Sequence, residues 1–179
     1  MKKILMSIIV GVFAFTVSLN AANHKEDYTF SFKDLNANPI VFHTFLQGIH
    51  FSNAKGKVVL LAFWGNQCPP CLMEMPELID LQKKYKDNFL IESFQVQTRI
   101  SDNDLKAFVK EKGINYPVIN NSDPEVFKFT DYISAKTSWK GLIPFSILFD
   151  KKGNASKIYL GLRSEKEFKQ DIEEMINKK

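Results

Sequence analysis

The sequence predicts an α/β sandwich with a mixed central sheet, on three observations. Apolar runs alternate with helix-periodic segments from Tyr28 onward. One run, Val58 to Phe63, is apolar at every position, as expected of a strand covered on both faces. Near the end, Pro144–Asp150 and Ser156–Leu160 flank the turn Lys151-Lys152-Gly153-Asn154. That pattern reads as an antiparallel hairpin, which makes the sheet mixed.

Each element has its own local reason. Tyr28–Phe32 and Ile40–His43 read as short strands on either side of the turn-prone Asn36–Pro39, forming an N-terminal β extension. Phe51–Lys57 reads as a polar connection ending in Lys55-Gly56-Lys57. Cys71–Tyr85 has helical spacing, with Leu72, Met75, Leu78, Ile79 and Leu81 on one broad face. Phe89–Val96 is a second central strand, and Asp102–Lys112 a helix capped by Ser101. Tyr116–Ile119 is a brief extended piece, and Asp123-Pro124 opens a short helix with proline in its first turn. A loop through Trp139 leads to the hairpin, and Glu165–Ile176 closes the chain as an amphipathic helix.

With 179 residues, 45% of them hydrophobic, the chain is long enough for one core, and residues 22–179 read as a single domain. The formal net charge is +4, and Lys2 and Lys3 supply two of those charges. What remains is too weak and too interspersed to make nucleic acid a partner; Lys166–Glu174, for example, reads as a solvated helix face. Residues 1–21 have the layout of a secretory signal: basic Met1-Lys2-Lys3, apolar Ile4–Leu19, then small Ala21-Ala22. Leu19 and Asn20 are poor residues for the position three before a cleavage site, so an uncleaved N-terminal membrane anchor stands as the alternative. Either reading puts the domain outside the cytoplasm.

Only two cysteines occur, Cys68 and Cys71, with Pro69 and Pro70 between them. A disulfide persists in an oxidising compartment. Bridging two intervening residues removes little entropy from the unfolded chain, so the pair is a poor staple and a good redox switch. It lies where a buried strand meets a helix, and free N–H groups at a helix start favour an anion, here the attacking thiolate. Cys68, nearer the opening and expected to be the more exposed, reads as the nucleophile, and Cys71 as the resolving thiol. Pro69 and Pro70 suit a first helical turn, where their missing N–H groups cost nothing. A zinc site needs further ligands, and His24, His43 and His50 offer no paired spacing, so no metal is expected.

The run Val58–Cys71, followed by Glu74 and Pro76, resembles the thioredoxin superfamily, and more narrowly the extracytoplasmic TlpA/ResA/CcmG-like thiol–disulfide oxidoreductases. Lys112–Val118, Gly141–Asp150, Lys152-Gly153 and Gly161 fit the same template in order. The resemblance implies a thioredoxin-like three-layer α/β/α sandwich. It implies that Pro144 is a cis-proline facing the disulfide, that Ile143 touches sulfurs and client, and that Glu74 handles protons for Cys71. Pro76 would kink the active-site helix, and Trp64 would pack under the motif at the client-binding surface. Two positions depart from the wider superfamily. Ala62 stands where ordinary thioredoxins bury an aspartate, which favours the TlpA/ResA branch. Gln67 replaces the usual tryptophan before the first cysteine and makes the client contact more polar. Thr130–Lys140 is longer than the template and is a place for specificity.

The activity so implied is reduction of disulfides in client proteins, such as apocytochrome c or copper-site assembly proteins. No bound cofactor is needed, because the two sulfurs carry the electrons. A membrane electron donor of the DsbD/CcdA type would keep the pair reduced. No dimerisation segment is evident, so a monomer is expected. A disulfide-forming oxidase and a redox-inactive peptide-binding module are the alternatives. Direction is not written in two prolines, since known dithiol potentials span about −270 to about −120 mV.

Overall fold

The computed structural model describes residues 27–178, so the predicted signal or anchor segment lies outside the described residues. Two sheets form. Strands β1 (Thr29–Lys33), β2 (Pro39–Phe45) and β3 (Gly48–Phe51) make an antiparallel sheet in that order. The central sheet contains β4 (Val58–Trp64), β5 (Phe89–Gln95), β6 (Val118–Asn120), β7 (Phe145–Phe149) and β8 (Ala155–Leu160), in the order β6-β5-β4-β7-β8. Pairing of β4 with β5 and of β5 with β6 is parallel, while β4–β7 and β7–β8 are antiparallel, which is the mixed sheet expected.

Four helices, α1 (Pro69–Tyr85), α2 (Asp102–Lys112), α3 (Pro124–Thr137) and α4 (Glu165–Asn177), cover the central sheet. Alternation along β4 divides the core. Val59, Leu61 and Phe63 face the N-terminal sheet and α3, whereas Val58, Leu60 and Ala62 face α1 and α4. All seven β4 residues are therefore buried. The first face is an aromatic layer in which Phe32 meets Phe42 and Phe94 edge-to-face, each at 5.2 Å between centroids. The result is a thioredoxin-like α/β/α sandwich with an additional N-terminal sheet.

Three expectations need correction. Residues Gly48–Phe51 form β3, overlapping what reads as connection, because the two-residue link Leu46-Gln47 lacks the Gly or Asn that marks a hairpin turn. This strand is tied to the β7–β8 turn by Ile49 N–H to Gly153 O and Ala155 N–H to Gln47 O. Gly48 fits there because a Cβ would stand 1.8 Å from Gly153 O. The helix opened by Asp123-Pro124 is not short: it runs 14 residues and absorbs most of Thr130–Lys140. Finally, the Lys166–Glu174 face is not wholly solvated. Phe168, Asp171 and Ile172 are buried, and Asp171 accepts hydrogen bonds from Tyr159 Oη and Lys157 Nζ.

Glu92 on β5 is fully buried on the aromatic side. Its Oε1 accepts from Asn53 Nδ2 at 2.6 Å, and its Oε2 has no partner among the described residues. Burial raises its pKa from 4.5 to about 7, opposed by the Asn53 bond and reinforced by Asp34. The folded state thus holds a proton that the unfolded chain has released between pH 4.5 and about 7, so this group's contribution to stability falls as pH rises through that window. At ~1.4 kcal/mol per pKa unit, Glu92→Gln is expected to gain up to about 3 kcal/mol over the native chain at pH 8 relative to pH 4.5. Urea unfolding at the two pH values measures this, and an unchanged pH dependence in the variant would refute it.

Candidate active site

The site begins at the carboxyl end of β4. Trp64 ends the strand, Gly65-Asn66-Gln67 turn the chain, and Cys68 is the N-cap of α1. Cys68 has extended backbone (φ −102°, ψ 102°), and its Sγ accepts from the Cys71 N–H at 3.3 Å, as a side-chain oxygen does at an ordinary N-cap. Pro69 and Pro70 are the first two helical residues, so the helix starts two positions earlier than its apolar spacing suggests. Cys68 and Cys71 form a disulfide, with Cα atoms 5.2 Å apart. The expected difference in exposure is absent, since Cys68 is 4% and Cys71 3% exposed. Ile143 and the layer around Trp64 cover both.

Opposite the disulfide, the Ile143–Pro144 peptide bond is cis, and Cys68 Sγ lies 3.9 Å from Ile143 O. Ile143 packs with Trp64, Cys68, Cys71 and Met75. Trp64 is 5% exposed and stacks on Phe108 of α2 at 5.8 Å, so it lies beneath the motif and presents almost no surface of its own. Gln67 is exposed, and its backbone N–H donates to Gln97 Oε1 at 3.0 Å. Helix α1 continues through exposed Pro76, which has no N–H to offer the Leu72 carbonyl.

Glu74 is buried at 4% exposure, one turn along α1 from Cys71. Its Oε2 accepts from the Arg163 backbone N–H at 3.0 Å. Burial raises its pKa from 4.5 to about 7; the Arg163 N–H works against that rise, and the neighbouring Glu77 charge adds to it. The Glu74 charge also pushes up the phenol of buried Tyr116, whose own burial is the larger cause. Gly161 N–H donates to Pro144 O at 2.9 Å, so the segment after β8 touches both the cis-proline and, two residues on, the glutamate. Arg163 is not legible in the sequence as part of this site, because its hydrogen bond to Glu74 comes from its backbone, with its charge a further, smaller influence that lowers the Glu74 pKa. Gln97, whose side chain holds the Gln67 N–H, carries no signal in the sequence beyond being a polar residue just past the end of a buried strand. Among the described residues, no cluster of three or more His, Cys, Asp or Glu is placed to hold a metal ion.

The arrangement presents two sulfurs at a helix start, with a peptide edge facing them and a protonatable carboxyl one turn along the helix, and a thiol pair that opens and closes reversibly is the chemistry of thiol–disulfide exchange. The turn before Cys68 is closely packed at Gly65, where a Cβ would stand 2.3 Å from Gln97 Oε1 and 2.5 Å from Gln97 Cβ. Gly65→Ala is expected to cost about 1–3 kcal/mol of stability, as overpacking does. Gln97→Ala in that background should not restore it, because the Gln97 Cβ contact remains, whereas Gln97→Gly should. Thermal unfolding of the three variants is the check.

Comparison with known proteins agrees with this geometry. The AhpC/TSA family profile matches residues 14–154. Thiol-disulfide oxidoreductase ResA of Bacillus thuringiensis subsp. konkukian is 32% identical over 130 residues, covering 73% of this chain and 68% of that protein. Thioredoxin-like protein YneN of Bacillus subtilis is 28% identical over 127 residues, covering 68% of this chain and 66% of that protein. A solved thiol:disulfide interchange protein of the thioredoxin family from Chlorobium tepidum TLS superposes with a TM-score of 0.66 at 27% identity, covering 83% of this chain and 94% of that one. The chain belongs to the AhpC/TSA family, within the thioredoxin superfamily, and is a ResA-like thiol–disulfide oxidoreductase built around the Cys68–Cys71 disulfide.

Proposed function

We propose that the protein works outside the cytoplasm as a reductant of disulfides in client proteins, with Cys68 as nucleophile, Cys71 as resolving thiol and Glu74 as proton acceptor. The Cys68 thiolate attacks one sulfur of the client disulfide, forming a mixed disulfide and expelling the client's other sulfur as a thiolate, which takes up a proton. Cys71 then gives its proton to Glu74 and attacks Cys68 Sγ. The bond to the client breaks, the second client sulfur leaves reduced, and the Cys68–Cys71 disulfide forms. Two electrons pass to the client. A membrane dithiol donor of the DsbD/CcdA type would restore the pair. Ile143 and cis-Pro144 would bind the client's extended chain beside the sulfurs, with Gln67 at the rim and Trp64 supporting from below. Apocytochrome c and copper-site assembly proteins are the client classes that the resemblance favours. The extracytoplasmic location rests on the Met1–Leu19 layout together with a disulfide-bonded pair. Among the described residues, no helix is long and apolar enough to cross a membrane.

The observation that carries this reading is the buried Glu74 carboxyl, which burial brings to half-protonation near neutral pH, one turn from the resolving cysteine. An acid so poised accepts a thiol proton at working pH and passes it on. The deciding experiment is the reduction potential of the pair, by equilibration against glutathione or dithiothreitol. A value near or below about −270 mV supports a reductase, and one near about −120 mV would sink it in favour of an oxidase.

The role of Glu74 has its own test. Release of a trapped mixed disulfide is expected to speed up as pH rises through about 7, where Glu74 loses its proton. Glu74→Gln should abolish that inflection and slow release by about 10²–10⁴-fold. Stopped-flow measurement between pH 5 and 9 would show it, and an inflection surviving in the variant would remove Glu74 from the mechanism.

A further inference from the structure

The turn that presents Cys68 is held from the neighbouring strand by an amide network. Gln95, the last residue of β5, is fully buried. Its Nε2 donates to Asn66 Oδ1 at 2.9 Å and to Thr98 O at 3.0 Å. A backbone carbonyl only accepts, so the Gln95 atom facing Thr98 O is the amide nitrogen, and the Asn66 atom facing that nitrogen is its oxygen. Thr98 Oγ1 donates to the same Asn66 oxygen at 3.3 Å. Backbone bonds run alongside: Val96 N–H to Trp64 O at 2.9 Å, Gln67 N–H to Gln97 Oε1 at 3.0 Å, and Cys68 N–H to Gly65 O at 3.2 Å. Every residue between the end of β4 and Cys68 is thus tied, directly or through its neighbour, to residues 95–98.

We propose that Gln95 and Asn66 are positioning residues for the exchange reaction, the buried amide of Gln95 locking the Asn66 side chain and so aiming Cys68 Sγ at the Cys71 N–H. This rests on the reading of Cys68 as the attacking thiol. The physical argument is one of direction. A helix start stabilises a thiolate only when the sulfur sits over its free N–H groups, and the interaction fades within the first turn. Cys68 is the N-cap: its carbonyl accepts from the Leu72 N–H at 3.0 Å, but its backbone is extended, and once the disulfide to Cys71 is reduced the Cys71 N–H is the one tie its side chain keeps to α1. The Asn66 oxygen, held by two donors, supplies the constraint from the other side. A buried amide must find partners or cost stability, and the two that Gln95 Nε2 finds lie in this turn and at Thr98.

The test uses the reduced full-length protein and the pH dependence of Cys68 alkylation by iodoacetamide, with urea unfolding in parallel. Asn66→Ala is expected to move the alkylation midpoint to higher pH by about half a unit, a threefold loss in thiol acidity. Gln95→Met should move it by a similar amount. The double variant should move it no further, because the two residues act through one contact. Thr98→Val, which removes the second donor to Asn66, should give a smaller shift in the same direction, and it keeps the test open if Gln95→Met does not fold. Unfolding midpoints that fall while the alkylation profile stays in place would overturn the proposal and leave the network a purely structural one. Shifts for Asn66→Ala and Gln95→Met that simply add would overturn it too. Release kinetics of mixed disulfides do not enter this readout, so it can fail while the reductase reading stands.

Discussion

Everything in this molecule hangs on β4. It is hydrogen-bonded along both edges, to β5 and β7, and covered on both faces, so all seven of its residues are buried. A strand so enclosed has no low-cost way to shift, because a slip of one residue would swap its two core faces. Its carboxyl end is therefore a fixed point, and the chain places Trp64 there, then the turn, then Cys68. The reactive pair is mounted on this constrained backbone, while the pieces that face it, Ile143–Pro144 and the segment after β8, come from the antiparallel β7–β8 edge next to β4.

A second constraint opposes the first. Two carboxyl groups, Glu74 and Glu92, are buried with fewer hydrogen bonds than their oxygens can accept. Each is raised to about 7 by burial, so each costs folding free energy at neutral pH. Glu74 lies one turn along α1 from Cys71, with the Arg163 N–H as its partner. Glu92 lies in the aromatic layer under the N-terminal sheet, with Asn53 as its partner.

How much of this was legible in the sequence follows from what each feature depends on. Burial of β4 was readable, because the apolar run Val58–Phe63, which continues into Trp64, suits a strand covered on both faces and little else. The two cysteines and their prolines were readable, because both proline residues and thiols have narrow structural uses. Strand β3 was not, since it is four residues long and its hairpin turn carries no glycine; its partners are β2 and the distant Gly153 loop. The length of α3 was hidden because Thr130–Lys140 has no strong cap until Ser138, which adopts a left-handed conformation at the end of the helix. Equal burial of Cys68 and Cys71 depends on Ile143, more than 70 residues away in sequence. The Gln95–Asn66 link joins two amides 29 positions apart, and spacing alone offers no reason to pair them.

The short segment from Gly161 to Arg163 bridges the two halves of the site through two main-chain donors. Gly161 N–H holds Pro144 O, and Arg163 N–H holds Glu74 Oε2. Between them the Leu162 side chain is exposed and takes part in neither contact. Gly161 has a left-handed φ of +81°, so its identity is restricted, and the spacing of the two donors is set by the backbone. At Leu162, by contrast, the side chain is chemically uncommitted. Variation there alters the surface a visiting protein meets while the carboxyl and the cis peptide keep their ties. An insertion of even one residue would have to break one tie or the other. The segment is thus permissive toward what it displays and intolerant of how long it is.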